Sequence, residues 1–271
     1  QKSQNEIIRK NPYKNLIIQG VAGSGKTTVA LHRIAYLIYN YRDQILSKDY
    51  LIFGPNPYFL QYISEVLPDL DVYDVKQTDF ESFAEKYLKR KITKTDKTME
   101  FKKSMTYYHN LTTFLKKQEE TLFQEDFCFE GHILLSKKTL KKWYQESRSP
   151  FRIEKIKKVE YLLKNYLKNH LDDLWISFEN QEDPTYYFES KRKFLKEKTK
   201  IITNYFQKYK RNYFFVYKEF LKNQNLPPTI TKEDYTALLY LKNTFHEDFN
   251  YQHYKQIILD EAQDYSLFQF L

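Results

Sequence analysis

Residues 20–33 read GVAGSGKTTVALHR, and three of the chain's five glycines, Gly20, Gly23 and Gly25, fall within the first six of them. Glycine reaches positive φ without strain and lets a backbone approach a ligand closely. Clustering it in a chain otherwise nearly free of it constrains the fold more than any other feature. The loop must turn tightly around something, and it runs straight into a lysine, two threonines and a helical pattern.

The flanks of the loop alternate short apolar runs with helical patterns. Asn15–Gln19 reads as a strand ending in the glycines, and Thr27 to Tyr39 carries Val29, Ala30, Ile34, Ala35, Leu37 and Ile38 at helical spacing. Tyr50–Phe53 reads as a second strand, stopped by Gly54-Pro55-Asn56-Pro57, which also opens a helix running on from Tyr58 to Val66. Asp79 to Leu88 reads as another helix. Strand, helix, strand, helix at this spacing predicts an α/β fold with a parallel sheet flanked by helices and right-handed crossovers.

From about Lys89 the texture changes to Lys-rich, aromatic, nearly glycine-free sequence. Lys155 to His170 carries a helical stripe, and Tyr186 to Leu221 holds one very long helix or two. Asn225–Thr229 breaks the run, Thr231 with Asp234 has capping-box spacing for a helix to about Phe245, and Lys255–Asp260 is an apolar strand ending in acids. These patterns predict a discontinuous first domain, residues 1–88 and 229–271, interrupted by a mainly helical insertion, residues 89–228.

Gly20-Val-Ala-Gly-Ser-Gly25-Lys26-Thr27 fits the phosphate-loop pattern G-x-x-x-x-G-K-[ST] between an expected strand and helix. Backbone N–H groups of such a loop converge on phosphate oxygens, and the following helix points its positive dipole end at the same anion. Gly20, Ala22, Gly23, Ser24, Gly25, Lys26, Thr27 and Thr28 are therefore candidates for contacting a nucleotide, with Lys26 reaching the β- and γ-phosphates and Thr27 ligating Mg²⁺. The second half of the expected site is Ile257-Ile-Leu-Asp260-Glu261-Ala-Gln263-Asp264. Asp260, at a strand end, is placed to hold Mg²⁺ water, and Glu261 to orient and deprotonate an attacking water. Two adjacent acids at a strand end could equally be solvated turn residues; the glycine loop favours the chemical reading, with ATP hydrolysis as the reaction class.

Forty-four Lys and Arg against 35 Asp and Glu give a formal charge of +9, which suits a polyanion partner such as nucleic acid or reflects compositional bias toward Lys, Tyr and Phe. Cys128 is the only cysteine, so an internal disulfide is excluded and a reducing compartment expected. A zinc site at Cys128 and His132 has no second ligand pair nearby, and an ordinary structural cysteine is preferred. No apolar run has membrane-spanning length and the start, QKSQNEIIRK, does not suit a secretory signal; the expectation is a soluble, cytoplasmic protein with no membrane partner.

DEAQD, the glycine loop and the preceding Gln4-Asn5-Glu6-Ile7-Ile8 together resemble the first motor domain of UvrD/Rep-type superfamily 1 helicases. Within that group, GVAGSGKTTVALHRIAYL, LIFGPNPYFLQYISEVLPDL and DEAQDYSLFQF are similar to the HelD branch, helicase-IV-like ATPases that act on RNA polymerase. The likeness covers about residues 1–88 and 229–271. It implies a RecA-like P-loop NTPase fold with ATP and Mg²⁺ as cofactors, Gln4 reading the adenine edge, and Gln263 joining Lys26, Asp260 and Glu261 as a catalytic residue that couples the γ-phosphate to the nucleic-acid path. It also implies that Pro55 and Asn56, then Thr78 and Phe80, touch a nucleic-acid strand, DNA being favoured. Gly54 departs from the aromatic often found two residues before that asparagine. His32 and Arg33 also fit the HelD-like pattern, or simply face solvent or the sheet.

The implied function is an ATP-driven translocase that remodels DNA or RNA polymerase complexes; a UvrD-like translocase on single-stranded DNA and a non-enzymatic interaction module on a nucleotide-binding scaffold are the alternatives. The insertion takes the place of a subdomain that touches duplex DNA in UvrD-type enzymes and associates with the polymerase in HelD-like ones. A second motor domain of the same polypeptide, with its phosphoryl-transfer arginine, is expected beyond Leu271, and this piece alone is expected to turn ATP over poorly.

Overall fold

The chain, seen as a computed structural model, is described over residues 2–179, 184–245 and 253–271. Gln1 and residues 180–183 and 246–252, which fall within the spans assigned above, lie outside the described residues. Two compact units emerge, Gln1–Thr93 with Asn250–Leu271, and Lys94–Phe249.

The first unit opens with α1 (Lys2–Ile8), a short helix with no buried residue, and α2 (Lys26–Asn40). Then come β1 (Tyr50–Phe53), α3 (Pro57–Asp69), β2 (Lys76–Thr78) and α4 (Phe80–Leu88). Local chemistry starts these helices. Asn56 caps α3 by accepting from Phe59 N at 3.0 Å, and Asp79 caps α4 by accepting from Ser82 N at 2.9 Å.

The second unit is mainly helical. It runs through α5 (Met105–Glu120), a hairpin of β3 (Phe127–Phe129) and β4 (His132–Leu135), α6 (Lys137–Gln145), α7 (Arg152–Glu179), α8 (Pro184–Gln207), α9 (Tyr213–Asn223) and α10 (Tyr235–Phe245). The long aromatic stretch thus makes two helices. One stripe of α7 (Ile156, Val159, Leu163, Leu167) shares a core with Phe194, Ile202, Phe206 and Tyr209. The hairpin is an addition to the expected helices, and its turn residues Glu130 and Gly131 both take positive φ, 46° and 85°. That is the backbone a tight two-residue hairpin turn requires. Cys128 lies exposed on β3, and no group of three metal-ligating side chains occurs among the described residues.

Residues 229–245, assigned by sequence to the segments flanking the insertion, group with the second unit. The reason is local pairing: Lys232 N donates to Lys94 O at 2.9 Å, and buried Asp234 pairs with buried Lys102 at 2.7 Å.

The chain returns to the first unit as β5 (Gln256–Leu259), completing a three-stranded parallel sheet in the order β2-β1-β5. β1 is buried along its whole length. Its Tyr50 and Ile52 join Leu31, Ile34 and Leu37 of α2 and Ile63 and Leu67 of α3 in one core, each large apolar side chain contributing roughly 1.5–3 kcal/mol. Asn15–Gln19 differs from expectation. It forms no strand, and Ile17 is 89% exposed. An apolar run becomes a strand only where a neighbour supplies ladder hydrogen bonds, and this segment has no strand partner among the described residues.

Among the described residues no helix is long and apolar enough to cross a membrane.

Candidate functional site

Parallel strands end on the same edge of a sheet, so the registers Phe53↔Thr78 and Phe53↔Leu259 align the segments that leave all three strands. Gly54–Asn56 leaves β1, Asp79 and Phe80 leave β2, and Asp260 and Glu261 leave β5. Ligands of open parallel sheets bind at such an edge. The segments that sequence reading singled out from three separate regions are brought to one place.

The glycine loop reaches this edge through a hydrogen bond spanning 233 residues: Thr27 Oγ1 donates to Asp260 Oδ2 at 2.7 Å. Gly25 caps α2 with φ 78°, and Gly23 has φ 76°, where an added Cβ would meet nothing within 4 Å. Both conformations strain any side chain, so these two glycines are demanded by the backbone. Lys26 Nζ donates to Gly20 O at 3.0 Å and Val21 O at 3.2 Å, which holds the ammonium inside the turn. Gly20, Ala22, Gly23, Ser24 and Thr28 are exposed, while Gly25, Lys26 and Thr27 are half-buried. The arrangement is an open turn whose Gly20 and Val21 carbonyls hold one ammonium, with two side-chain oxygens, Thr27 Oγ1 and Asp260 Oδ2, beside it.

On the acidic side, Asp260 N donates to Phe53 O at 3.1 Å, extending the ladder by one residue, and Asp260 Oδ1 accepts from Glu261 N at 3.0 Å. Glu261 adopts φ 50°, uncommon for a residue with a side chain. Its carboxylate accepts from Gln263 Nε2, so the two side chains are joined. Tyr265 then donates to Gly54 O at 3.3 Å. Burial, and after it the charges of Asp79, Asp264 and Asp260, push this phenol up to about 12. Sequence reading passed over Tyr265, although an aromatic directly after the acid run was its signal.

Gln4 lies where α1 meets the loop, its Nε2 3.4 Å from Ser24 O. Asn56 is exposed with its amide oxygen engaged in capping, and Pro55 is half-buried. Thr78 donates to Asp79 O at 3.0 Å, and Phe80 stands edge-on to Tyr265 at 6.5 Å. The departure at Gly54 has a steric account. A Cβ there would sit 2.6 Å from both Phe59 and Leu60 side-chain carbons, so the first turn of α3 occupies the space an aromatic would need.

Of the undecided pair, His32 is exposed and Arg33 is 9% exposed. Arg33 Nη1 donates to Ile7 O, Ile8 O and Lys10 O at 3.0, 2.9 and 2.8 Å, and Nη2 reaches Asn11 O at 3.4 Å. Desolvation lowers its pKa, opposed by the neighbouring Tyr50 and Tyr41. A legible signal was present: Arg33 stands four residues from both Val29 and Leu37, on the buried stripe of α2.

No protein-family model matches the chain, and none of the curated proteins matches it.

Proposed function

We propose that this chain binds ATP with Mg²⁺ and serves as the first, RecA-like half of a superfamily 1 type translocase motor. The observation that carries the reading is the Thr27–Asp260 hydrogen bond, which joins the phosphate-loop threonine to the acid at the end of β5. Two hard oxygen donors side by side suit Mg²⁺, which takes carboxylate and hydroxyl oxygens. Thr27 and Asp260 would hold the ion, and the ion would neutralise charge on the phosphates.

The remaining roles rest on the resemblance to superfamily 1 motors, with the placement of the residues at the sheet edge as support. Lys26 exchanges its two loop carbonyls for β- and γ-phosphate oxygens, and the first amides of α2 face the same anion. Glu261, at the sheet edge beyond Asp260, accepts the proton of a water that adds to the γ-phosphorus, as the bond to the β–γ bridging oxygen breaks and ADP departs. Gln263, joined to Glu261, senses that event. Gln4 reads the base. Pro55, Asn56, Thr78 and Phe80 share the edge and offer amide, hydroxyl and aromatic groups to a nucleic-acid strand. The HelD-like wording around Lys26 and after Glu261 favours remodelling of RNA polymerase complexes over free single-stranded DNA.

Calorimetric titration with MgATP tests the reading. Lys26→Ala abolishes binding, whereas Glu261→Gln keeps binding and removes hydrolysis. An ATPase rate unchanged by Glu261→Gln favours the scaffold alternative, and wild-type chain that binds no MgATP ends the proposal.

A further inference from the structure

Gln4 sits on α1, a helix of seven residues with no buried side chain. Such a helix has little stability of its own, since isolated helices below about 12 residues are marginal in water. Its position must therefore be imposed from outside. The last carbonyls of a helix lack partners within it and carry the negative end of its dipole. In α1 and the turn after it, the carbonyls of Ile7, Ile8, Lys10 and Asn11 converge on one guanidinium, that of Arg33. Arg9 adds a weaker tie, its guanidinium 5.9 Å from the Tyr36 ring centroid on α2. Further along, Gln256 Nε2 donates to Pro12 O at 2.7 Å and fixes the outgoing chain to β5.

Arg33 and Lys26 belong to the same helix, about two turns apart. One rigid element thus holds the phosphate side of the site at its first residue and the α1 carbonyls at its eighth. The Gln4 carboxamide is thereby referenced to the phosphate loop, with Nε2 3.4 Å from Ser24 O and 3.7 Å from where a Cβ on Gly25 would stand. A carboxamide offers a donor and an acceptor side by side, matching the N6 amine and N7 of adenine and mismatching guanine, which has O6 in place of the amine.

We propose that Arg33 is a positioning residue for nucleobase selection: by gathering the carbonyls at the end of α1 it holds Gln4 in register with the phosphate loop. This rests on the nucleotide-site reading above. It assigns Arg33 no contact with the nucleotide; the effect passes through the placement of α1. Lysine cannot replace it fully, because a single ammonium lacks the planar fork that spans four acceptors.

The test is calorimetric titration of the 271-residue chain with MgATP, MgGTP and magnesium tripolyphosphate. Tripolyphosphate has no base, so it reports the phosphate loop alone and shows that each variant is folded there. Wild type should favour ATP over GTP by about tenfold or more. Arg33→Met and Gln4→Ala should each bring that ratio toward one while leaving tripolyphosphate affinity within about twofold, and the double variant should lose nothing further, because both act on one contact. Arg33→Lys should fall between wild type and Arg33→Met. Arg33→Met that keeps the ATP preference overturns the inference, as does Arg33→Met that loses tripolyphosphate and nucleotides in equal measure. Wild type that binds tripolyphosphate without preferring ATP overturns the inference and leaves the phosphate loop standing. Wild type that binds none of the three overturns the nucleotide-site reading itself.

Discussion

Replacing Asp234 with alanine should destabilise the second unit by about 3–5 kcal/mol, the loss found when one partner of a buried ion pair is removed. Asp234 is fully buried, and its carboxylate receives four donors. Lys102 Nζ lies 2.7 Å away, Thr231 N 2.7 Å and Thr231 Oγ1 3.3 Å, and the Tyr217 hydroxyl completes the set. Tyr107 hydrogen-bonds Tyr217 at 2.8 Å behind it. Burial first, then the Asp234 charge, raises the Tyr217 phenol well above its ordinary value, so it remains a donor. Alanine leaves the Lys102 ammonium, 1% exposed, without its counter-charge, and that uncompensated cation dominates the cost. Against a typical stability of about 5–15 kcal/mol the loss is large, and it should lower the melting temperature by about 10 °C at roughly 2–4 °C per kcal/mol. The assay is urea and thermal unfolding followed by far-ultraviolet circular dichroism. Pairing Asp234→Asn with Lys102→Met removes both charges, so the double variant should be more stable than Asp234→Asn alone. A loss below about 1 kcal/mol for Asp234→Ala would refute the reasoning, as would strict additivity of Lys102→Met and Asp234→Asn.

Two further outcomes rest on single side chains. Thr27→Val should abolish the magnesium dependence of ATP binding, while Thr27→Ser, which keeps the hydroxyl that reaches Asp260, should preserve it; titration with and without chelator separates them. Glu160 is raised by burial, but hydrogen bonds from Lys164 and Lys210 outweigh this and hold its pKa below the usual carboxylate range. A depressed folded-state pKa contributes stability above the unfolded value of about 4.3, and that stability fades as pH falls through the folded value. Melting curves of Glu160→Gln should therefore lose less stability than wild type on acidification below about pH 4.5, and an identical acid slope would count against the pairing.

The boundary between what the sequence disclosed and what it hid tracks the range of the interactions. β1, α2 and the capped starts of α3 and α4 were legible because apolar spacing and caps act within a few residues. β2 is three residues, Lys-Gln-Thr, with no apolar pattern; it is a strand only because β1 lies beside it. Asn15–Gln19 is the converse, with the right residues and no strand to pair with among those described. Thr231 and Asp234 announced a capping box, but the Asp234 partner Lys102 lies 132 residues upstream, beyond any local rule. Arg33 was a longer-range feature with a local trace, a charge standing on an apolar stripe.

The candidate site could be sketched from sequence because most of its parts hang from the most legible element. β1 pairs with β2 on one side and β5 on the other, and its own end delivers Gly54–Asn56. Asp260 is thus set by β1 through the Phe53 carbonyl, and Thr78 by the same residue through its register. The glycine loop and Gln4 are independent of that ladder, and the loop is held by other means: α2 packs Leu31, Ile34 and Leu37 against Tyr50 and Ile52, and Thr27 bonds Asp260. A polar residue at Ile52 would unseat the sheet and α2 together, so both halves of the site would fail through a residue that touches neither.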